Sequence, residues 1–508
     1  MESLWNDMEA ARFRGELGAR VYASRLLGRD TSLVLHGGGN TSVKIGDILH
    51  VKGSGSDLAV VDEGAFAPLH LECVKRVLAR ERLDNVEMMR LLDACLARRP
   101  APKPSIETLL HAALPFRYVE HTHADTVLAV VNTEDGERIA ADLYGELAPL
   151  VPYHHSGVEL ASACRAVLSA RGTQRTIGLV LRFHGIVAFG DSARASYENM
   201  IRLVTIAEDY LKAKGAWELN SAAQPLPRID RMALAALRAA ASRAAGFPLV
   251  MRTERDPLCI AFTRRDDLRT VSQQGPATPQ HAVFTKRLPQ VGRDVDAFER
   301  GYRDYLRRTL GSAADARLDS APRIVLDAVF GLCALGVNAE YAHIAAECYR
   351  HDIEIIVRAS AHDVYRAAPE RAIAQAELEY GGFERALRER VSRDQPLLGQ
   401  VALIAPAAHR VQPELPQQLL AQGAAVSVIG GPQETGGIAR PAFCMVPDNI
   451  EAALDQTVAA CGGLDRLYAE PVDEPWVNAV APLLALSPVA GGIMRSAHQR
   501  QTFAQNRP

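Results

Sequence analysis

The sequence predicts an α/β protein of several layered domains, and three observations support this prediction. With 508 residues the chain is long enough for about two to four domains of ordinary size. Hydrophobic residues make up 48% of the chain and charged residues 23%, which is the composition of a globular protein. Helical stretches alternate with short apolar strands, and this alternation is typical of sheets covered by helices.

The first predicted domain covers residues 1–218. It begins with the helical stretch "MEAARFRGELGARVYASRLLG" and two short strands around a glycine turn, "TSLVLHGGGNTSVKIGDILHVKGSG". A second helical stretch ends at the proline-rich "PAPKPS", and "YVEHTHADTVLAVV" (residues 118–131) then predicts an apolar strand. The strand pair "RTIGLVLRFHGIVAFG" and the helix "SARASYENMIRLVTIAEDYLKAKGAWEL" complete the domain. We therefore expect an α/β/α layered domain.

Residues 219–395 are predicted to form a mixed α/β connecting region, which begins near the linker "NSAAQPLPRID". It contains strands in "RIVLDAVFGLCAL" and the helix "AEYAHIAAECYRHDIEIIVRAS". From Gln400, "GQVALIAPAAHRVQPELPQQLLAQGAAVSVIGG" has the order strand, turn, helix, strand, which resembles the opening of a Rossmann unit. Residues 396–508 are therefore predicted to form an incomplete Rossmann-like domain.

Charge and cysteine usage exclude several classes of protein. The net charge of -3 gives no reason to expect nucleic acid or an anionic membrane as a partner. The eight cysteines are scattered with no C-x-x-C pair, which predicts a reduced, intracellular chain with mostly buried thiols. The N-terminal "MESLWNDMEAARFRGELGAR" has no apolar core of a signal peptide, and no run approaches a membrane span. We therefore expect a cytoplasmic, soluble protein.

Three histidines are candidate metal ligands. In an extended strand His121 and His123 would point to the same face, and as neutral imidazoles they would converge on one ion. His184 follows another apolar strand and precedes Gly185, where the backbone can approach closely. Three imidazoles leave the fourth position of zinc open for water or substrate. The alternatives are a strand end with solvated histidines for the pair, and a structural histidine for His184.

Two glycine-rich turns and one helix start carry further candidate residues. "LHGGGNTSVK" and "VKGSGSDL" combine tight backbone with short hydroxyl side chains, as in an anion nest, although ordinary hairpin turns have the same composition. Neither is a nucleotide-binding P-loop. In "KPSIETLLHAALPF", Ser105 and Glu107 stand at a helix start, where an acid is commonly a cap. The functional alternative is that Glu107 faces the metal as a general acid/base.

Together and in this order, these motifs resemble the class II aldolase/adducin family of zinc-dependent sugar-phosphate aldolases. The matching residues are Gly39-Asn40, Ser54-Gly55, Ser105 to Glu107, His121 to His123 and His184-Gly185. The resemblance implies one zinc ion per chain, bound by His121, His123 and His184, with Glu107 as the acid/base. It implies that Gly39, Asn40, Ser54, Gly55 and Ser105 hold the substrate's phosphate. It also implies a homo-oligomer, plausibly a tetramer, in which a neighbouring subunit supplies a tyrosine to the site; Tyr144 has about the right spacing.

The whole chain resembles bacterial proteins that join a rhamnulose-phosphate aldolase to a short-chain dehydrogenase. The similarity includes "GPATPQHAVFTKRLP", "YRHDIEIIVRAS" and the tail. The tail departs from the dehydrogenase pattern, because residues 405–412, "APAAHRVQ", lack the glycines that admit a dinucleotide. The Asn-Asn-Ala-Gly turn is missing, and no lysine after Lys286 is present for a Tyr-x-x-x-Lys pair. NAD(P) is therefore not expected as a cofactor.

The resemblance implies a zinc-dependent aldolase that cleaves a ketose phosphate similar to rhamnulose 1-phosphate. Zinc would stabilise the enediolate formed when the carbon–carbon bond breaks, and Glu107 would move a proton on or off that carbon. The same site could serve an epimerase, a dehydratase or a decarboxylase, since fold does not determine substrate. A non-catalytic scaffold similar to adducin is the alternative outside enzymes, and it is disfavoured because the histidine set is complete.

Overall fold

The computed structural model describes residues 1–80, 83–219, 226–312, 318–379, 394–406, 408, 412–429, 442–446, 449–469, 474–495 and 499–502. The chain divides into two compact units. The first unit comprises residues 1–219, 277–279 and 354–368, and the second comprises residues 220–276, 280–353 and 369–508. Both are mixed α/β, so the predicted fold class is confirmed. The division into three domains at residues 218 and 395 stays a prediction.

The first unit is built around one mixed sheet. Its strands among the described residues are β1 (Asn40–Ile45), β2 (Ile48–Lys52), β3 (Phe66–His70), β4 (Tyr118–Thr122), β5 (Leu150–Val151), β6 (Gly178–Leu181) and β7 (Gly185–Gly190). Their spatial order is β3-β2-β1-β4-β7-β6-β5. The neighbours are antiparallel, apart from the parallel pair β5 and β6. Strand β4, which carries the first histidine, is therefore central and is paired with β1 on one side and β7 on the other.

Helices cover both faces of this sheet. They are α1 (Asp7–Ala10), α2 (Gly15–Gly28), α3 (Leu71–Leu78), α4 (Asn85–Ala94), α5 (Thr108–Ala113), α6 (Asp125–Val131), α7 (Gly136–Tyr144), α8 (Val158–Arg171) and α9 (Ala193–Ala213). Short 3-10 turns lie at Leu58–Val60 and Glu63–Ala65. No helix in the described ranges is long and apolar enough to cross a membrane.

Alternation along β4 assigns one face of the sheet to each helix layer. Val119 belongs to an apolar core with Leu109 of α5 and Leu160 of α8. The next residue, Glu120, faces the other way and accepts hydrogen bonds from Arg20 of α2 (2.5 Å) and Ser196 of α9 (2.9 Å). A slip of one residue would bury this carboxylate in the apolar core, so the pattern specifies the register of β4. This arrangement confirms the α/β/α layering.

The apolar run after the histidines was expected to be a strand, and this expectation is wrong. Strand β4 ends at Thr122, and residues 125–131 form helix α6, in which every residue is buried. Period-2 and period-3.6 patterns are indistinguishable when all sides of a short segment are apolar and buried. The β-branched composition favoured the strand, but burial on all sides is equally compatible with a helix.

The expectation that the cysteines are all reduced is also corrected. Cys73 at the start of α3 and Cys95 at the end of α4 form a disulfide. Their separation of 22 residues carries no sequence signal for pairing. Five other cysteines remain buried thiols: Cys164, Cys259, Cys333, Cys348 and Cys461.

The second unit contains two sheets. The strands of the smaller sheet are β8 (Val250–Glu254), β9 (Gln290–Val291), β10 (Ile324–Asp327) and β11 (Gly331–Gly336), in the order β8-β11-β10-β9. The other sheet contains β12 (Val401–Ile404), β13 (Ala425–Ile429), β14 (Phe443–Val446), β15 (Arg466–Tyr468), β16 (Gly492–Arg495) and β17 (Gln499–Thr502). Helices span Arg231–Ala245, Pro257–Thr263, Leu268–Ser272, Ala282–Thr285, Val295–Leu310, Ala339–His362, Leu415–Ala421, Ile450–Cys461 and Glu474–Ala485. From Glu354 onward the helix Ala339–His362 belongs to the first unit.

The larger sheet confirms the Rossmann-like prediction. Its order is β14-β13-β12-β15-β16-β17, and its strands are parallel except for the last. In chain order this is 3-2-1-4-5-6, the strand order of a doubly wound dinucleotide-binding sheet. Residues 407 and 409–411 of the glycine-free turn lie outside the described residues.

One buried ion pair connects the predicted connecting region to the Rossmann-like sheet. Arg238 donates to both carboxylate oxygens of Asp465 (2.6 and 3.2 Å), and also to the carbonyls of Leu249 and Gly399. Asp465 in turn accepts from the backbone N–H of Val401 at the start of β12 (2.7 Å). Both charged side chains are almost completely buried, so they must remain paired. Apolar residues of the two regions also share one core.

A strand-turn-strand-helix segment of the first unit recurs in the second. Strands β6 and β7 followed by α9 correspond to β10 and β11 followed by the helix Ala339–His362. The last glycine of each second strand, Gly190 or Gly336, lies against the first turn of the following helix, where a Cβ atom would clash. Strands β7 and β11 also begin with a glycine, but the residue before that glycine differs. It is His184 before β7 and Phe330 before β11. The repeat therefore preserves the backbone arrangement without the histidine.

Candidate metal centre

The structure brings His121, His123 and His184 together. His121 lies in β4, His123 follows it, and His184 is in the turn between β6 and β7. Pairing of β4 with β7 places this turn beside the end of the histidine strand. All three side chains are buried, and one nitrogen of each lies within 4.8 Å of those of the other two. The Nε2 atoms of His121 and His123 are 3.0 Å apart.

Two glycines allow the backbone to close around these histidines. Gly39 has a φ of +57°, and a Cβ atom there would lie 2.8 Å from the carbonyl oxygen of His121. Gly185 has a φ of +154°, and its Cβ atom would lie 2.2 Å from the carbonyl oxygen of Thr122. Only glycine satisfies both the positive φ and the close approach. The G-N and H-G motifs of the sequence therefore have a structural reason.

We predict that Gly185→Ala destabilises the chain by about 3 kcal/mol or more, because it combines unfavourable φ with a backbone clash. Gly46→Ala is the matched control, since Gly46 also has positive φ (+60°) but no atom lies within 4 Å of the point that a Cβ atom would occupy there. That variant should lose only about 1 kcal/mol. Urea unfolding measures both changes, and equal losses would show that the contact with β4 has no role.

Glu107 points toward the histidines. It is the N-cap residue of α5, but its carboxylate makes no capping hydrogen bond. Oε1 lies 2.9 Å from Nε2 of His184, and Oε2 lies 3.5 Å from Nε2 of His121. The capping contact is made by Ser105, whose hydroxyl accepts from the backbone N–H of Glu107 (3.2 Å). Of the two interpretations of this motif, the geometry favours the one in which Glu107 faces the metal site.

The electrostatics of the site suit a metal ion. Nδ1 of His121 donates to the carbonyl of Ile186 (3.1 Å), so that Nε2 presents its lone pair to the cluster. Burial lowers the pKa of His121 to about 4, which keeps the imidazole neutral at pH 7. Burial raises the pKa of Glu107, but the imidazoles of His121 and His184 and the hydrogen bond with His184 outweigh it and hold that pKa well below its usual range. Three imidazole groups beside one carboxylate fit a divalent cation such as zinc.

We predict that the metal-free chain loses stability as the pH falls below about 6.5. Burial lowers the pKa values of His111 and His121 to about 3 and about 4, whereas both groups have the ordinary value of 6.5 when unfolded. Between the folded and unfolded pKa values the unfolded state binds more protons than the folded state. The free energy of unfolding therefore decreases by about 1.4 kcal/mol per pH unit for each group as the pH is lowered. Urea unfolding at pH 7, 6 and 5 measures the slope. His111→Gln removes one of the two titrating groups, so the slope should decrease by about 1.4 kcal/mol per pH unit. An unchanged slope would contradict the lowered pKa of His111.

The predicted phosphate-binding residues lie on three adjacent segments. Gly37 is next to Gly55: a Cβ atom added at Gly37 would lie 3.7 Å from the backbone carbonyl carbon of Gly55. The backbone N–H of Ser54 donates to the carbonyl of Lys103 (2.9 Å), which brings the segment with Ser105 alongside. The structure thus brings the segments with Gly39, Ser54, Gly55 and Ser105 together.

Sequence reasoning missed Lys52, the residue before the second glycine turn. Its buried ammonium group donates to the carbonyls of Gly37 (2.7 Å) and Gly39 (3.2 Å). These bonds stabilise the glycine loop, residues 37–39. Burial lowers the pKa of Lys52 to about 8, against the attraction of Asp57 and Glu107, so the group is mainly charged at pH 7. The lysine in "VKGSG" was the available signal, because a cation beside an anion nest adds to its field.

Asn40 and Tyr144 have environments that the sequence did not predict. The amide of Asn40 is buried and hydrogen-bonded to Glu107 on one side and to His111 on the other. Tyr144 is buried, and its hydroxyl donates to the carbonyl of Leu203 in α9 (3.3 Å). A buried hydroxyl held by its own chain is not presented to a neighbouring subunit. The geometry therefore gives no support to Tyr144 as the catalytic tyrosine, and that assignment stays a prediction.

Comparisons with known proteins agree with the sequence motifs. Residues 19–211 match the family model "Class II Aldolase and Adducin N-terminal domain", and residues 228–386 match "Aldolase class II, second domain". An uncharacterized oxidoreductase of Bacillus subtilis, YuxG, is 26% identical over 521 aligned positions, which cover 92% of this chain and 74% of that protein.

Two solved structures are similar to part of this chain. The N-terminal class II aldolase domain of a conserved Thermoplasma acidophilum protein is 31% identical, with 42% of this chain and 99% of that chain covered and a TM-score of 0.38. The L-fuculose-1-phosphate aldolase of Thermus thermophilus is 17% identical, with 42% and 100% covered and a TM-score of 0.29. Because two models of the same family match consecutive parts of the sequence, the chain belongs to the class II aldolase/adducin family.

Proposed function

We propose that this protein is a zinc-dependent aldolase that cleaves a ketose phosphate similar to rhamnulose 1-phosphate. The observation that carries this proposal is the buried cluster of His121, His123 and His184 with the carboxylate of Glu107 directly against it. The three imidazoles would hold one zinc ion. When bound there, the ion would supply the positive charge that stabilises negative charge developing on the substrate oxygens.

The protein's own groups would carry out the remaining steps. The carboxylate of Glu107 lies against the imidazoles of the cluster, where it is suited to exchange a proton with the carbon next to the carbonyl. Of the residues predicted to bind the phosphate, Gly39, Ser54, Gly55 and Ser105 would do so, and the charge of Lys52 would favour an anion in that position. Asn40 is left out of this set, because its amide is already bonded to Glu107 and His111. Placing the phosphate there orients the reacting carbon toward Glu107.

The nearest alternatives use the same site. An epimerase, a dehydratase or a decarboxylase needs the same ion and the same acid/base, so substrate specificity must decide between them. A scaffold without catalysis is disfavoured because the set of three histidines that a metal site needs is complete and lies in one cluster with an acid. We retain the prediction of a homo-oligomer that acts on a small sugar phosphate.

The test combines metal analysis with a substrate screen. Purified protein is analysed for zinc, cobalt and manganese, and then incubated with the 1-phosphates of rhamnulose, fuculose and related ketoses while aldehyde release is followed. Light scattering of the same preparation tests the homo-oligomer. We expect about one zinc ion per chain and aldehyde release from at least one substrate. Stoichiometric metal with epimerised or dehydrated product would favour an alternative activity, and absence of metal after growth with zinc would overturn the proposal.

We further propose that the Rossmann-like sheet has a structural role and does not bind NAD(P). The turn at residues 405–412 has no glycine, and Pro406 removes an N–H donor where a pyrophosphate would lie. The Arg238–Asp465 pair and the shared core give this sheet a role in holding the second unit together. Titration calorimetry of the intact chain with NAD and NADP should give no saturable heat, whereas micromolar binding would contradict the proposal and agree with an oxidoreductase.

A further inference from the structure

Two buried polar residues behind Glu107 have no part in the function proposed above. Ser42 and His111 are both fully buried. Nδ1 of His111 lies 2.7 Å from the hydroxyl oxygen of Ser42, and its Nε2 is hydrogen-bonded to Oδ1 of Asn40. Nδ2 of Asn40 lies 2.5 Å from Oε2 of Glu107. The four side chains form one continuous series of hydrogen bonds that ends at the carboxylate.

Regular secondary structure places these four residues. Asn40 and Ser42 are two residues apart in β1, so their side chains lie on the same face of the sheet. Glu107 and His111 are four residues apart at the start of α5, so they lie on the same face of the helix. The spacings N-x-S and E-x-x-x-H are therefore what a strand and a helix need to bring four polar groups into one line.

The donors and acceptors of this series permit only one arrangement of protons. The carboxylate of Glu107 accepts, so Asn40 must turn its N–H group to it and its carbonyl oxygen to His111. His111 must then carry its single proton on Nε2, which leaves Nδ1 to accept from the hydroxyl of Ser42. Burial, together with the nearby charge of Lys44, lowers the pKa of His111 to about 3, so a second proton on this imidazole is excluded at pH 7.

We propose that Ser42 and His111 are positioning residues, which hold Asn40 so that Oε2 of Glu107 always accepts and Oε1 carries the substrate's proton. The assignment of Oε1 rests on the proposed function, whereas the hydrogen-bond series does not. In the condensation direction a C–H bond of the substrate breaks, its electron pair stays on the substrate, and an O–H bond forms at Oε1. In the cleavage direction the same proton returns to carbon. Oε1 is the oxygen on the side of His184 and also accepts from Ser156 (3.3 Å).

The first test is spectroscopic and needs no substrate. The full-length protein, labelled with nitrogen-15 in histidine, is studied by two-bond proton–nitrogen correlation at pH 7, and the signals of His111 are identified by their loss in His111→Gln. We expect a neutral ring with the proton on Nε2. A proton on Nδ1, or a doubly protonated ring, would overturn the proposed series. This result is independent of whether the protein is an aldolase.

The second test is kinetic and uses variants of the intact enzyme. His111→Leu should lower kcat by about tenfold to a hundredfold with KM and metal content nearly unchanged, as expected for a partner that orients a catalytic group. Ser42→Ala should have a smaller effect of the same kind, and His111→Gln should recover part of the loss because its amide can donate to Asn40. Ser196→Ala is the control, since it also removes a buried hydroxyl next to β4 but on the face of Glu120.

The outcomes separate the two proposals. An unchanged kcat in His111→Leu, or no recovery in His111→Gln when folding and metal content are normal, would overturn the positioning role. If the wild-type protein turns over no ketose phosphate but His111 has its proton on Nε2, the proposed aldolase function fails and the hydrogen-bond series stands.

Discussion

Replacing His121 or His123 with alanine is expected to remove the bound metal and the activity together. Each imidazole supplies one of the three nitrogens of the proposed site, and the nitrogens lie within 4.8 Å of one another in a buried cluster. Two remaining imidazoles cannot complete a zinc site that is otherwise open to substrate. Since the metal contributes several kcal/mol of charge stabilisation, the rate should fall by about a thousandfold or more.

Metal content by mass spectrometry and turnover in the same preparation measure this effect. His70→Ala is a suitable control, because His70 is exposed at the end of β3 in the same sheet and should leave both quantities unchanged. Thermal unfolding shows whether the variants remain folded. Full metal occupancy in either His121→Ala or His123→Ala would show that the ligands have been assigned to the wrong residues.

The replacement Glu107→Gln is expected to retain the metal and the fold but to lose most of the turnover. Glutamine has the same shape and can still bond to Asn40, but it cannot take up a proton near neutral pH. Loss of a general acid/base lowers the rate by about a hundredfold or more. Metal content should stay at the wild-type level, because the three imidazoles are intact.

Steady-state kinetics of Glu107→Gln should be compared with Glu159→Gln, in which an exposed acid in the first turn of α8 is changed in the same way. The control should have the activity of the wild type. If Glu107→Gln had unchanged kcat, its carboxylate would be a structural partner of Asn40 and the imidazoles rather than the acid/base. Loss of metal from this variant would instead identify Glu107 as a ligand.

Much of the candidate site was predictable because its signals are local. The positions of His121 and His184 depend on strands and on glycines that are adjacent in the sequence. Gly39 and Gly185 are needed because a Cβ atom at either position would meet the backbone of the histidine strand or of the residue that follows it. Such backbone requirements are visible in the sequence as the short motifs G-N and H-G. The parallel pairing of β12 with β13 likewise agrees with the order strand, turn, helix, strand that the sequence predicts from Gln400.

Other features depend on groups that are distant in the sequence. The bond between Cys73 and Cys95 forms because α3 and α4 are brought together, and no spacing rule predicts it. Lys52, at the end of β2, donates hydrogen bonds to the glycine loop that precedes β1. Its ammonium group is buried only because the strands of the sheet pack together. The internal correspondence of β6–β7 with β10–β11 is visible only when backbone conformation is compared, since the matching residues are few.

The sequence by itself predicted the α/β class and the family, and it selected the three histidines and Glu107 as candidate site residues, because periodicity and short motifs are enough to indicate them. Only the tertiary structure decided that residues 125–131 are a helix, because burial on all sides removes the difference between the two periodicities. Only the tertiary structure showed that Asn40 bonds to Glu107 and to His111. Those bonds join a strand to a helix more than sixty residues away in the chain, and hydrogen bonds over such distances depend on packing rather than on local sequence.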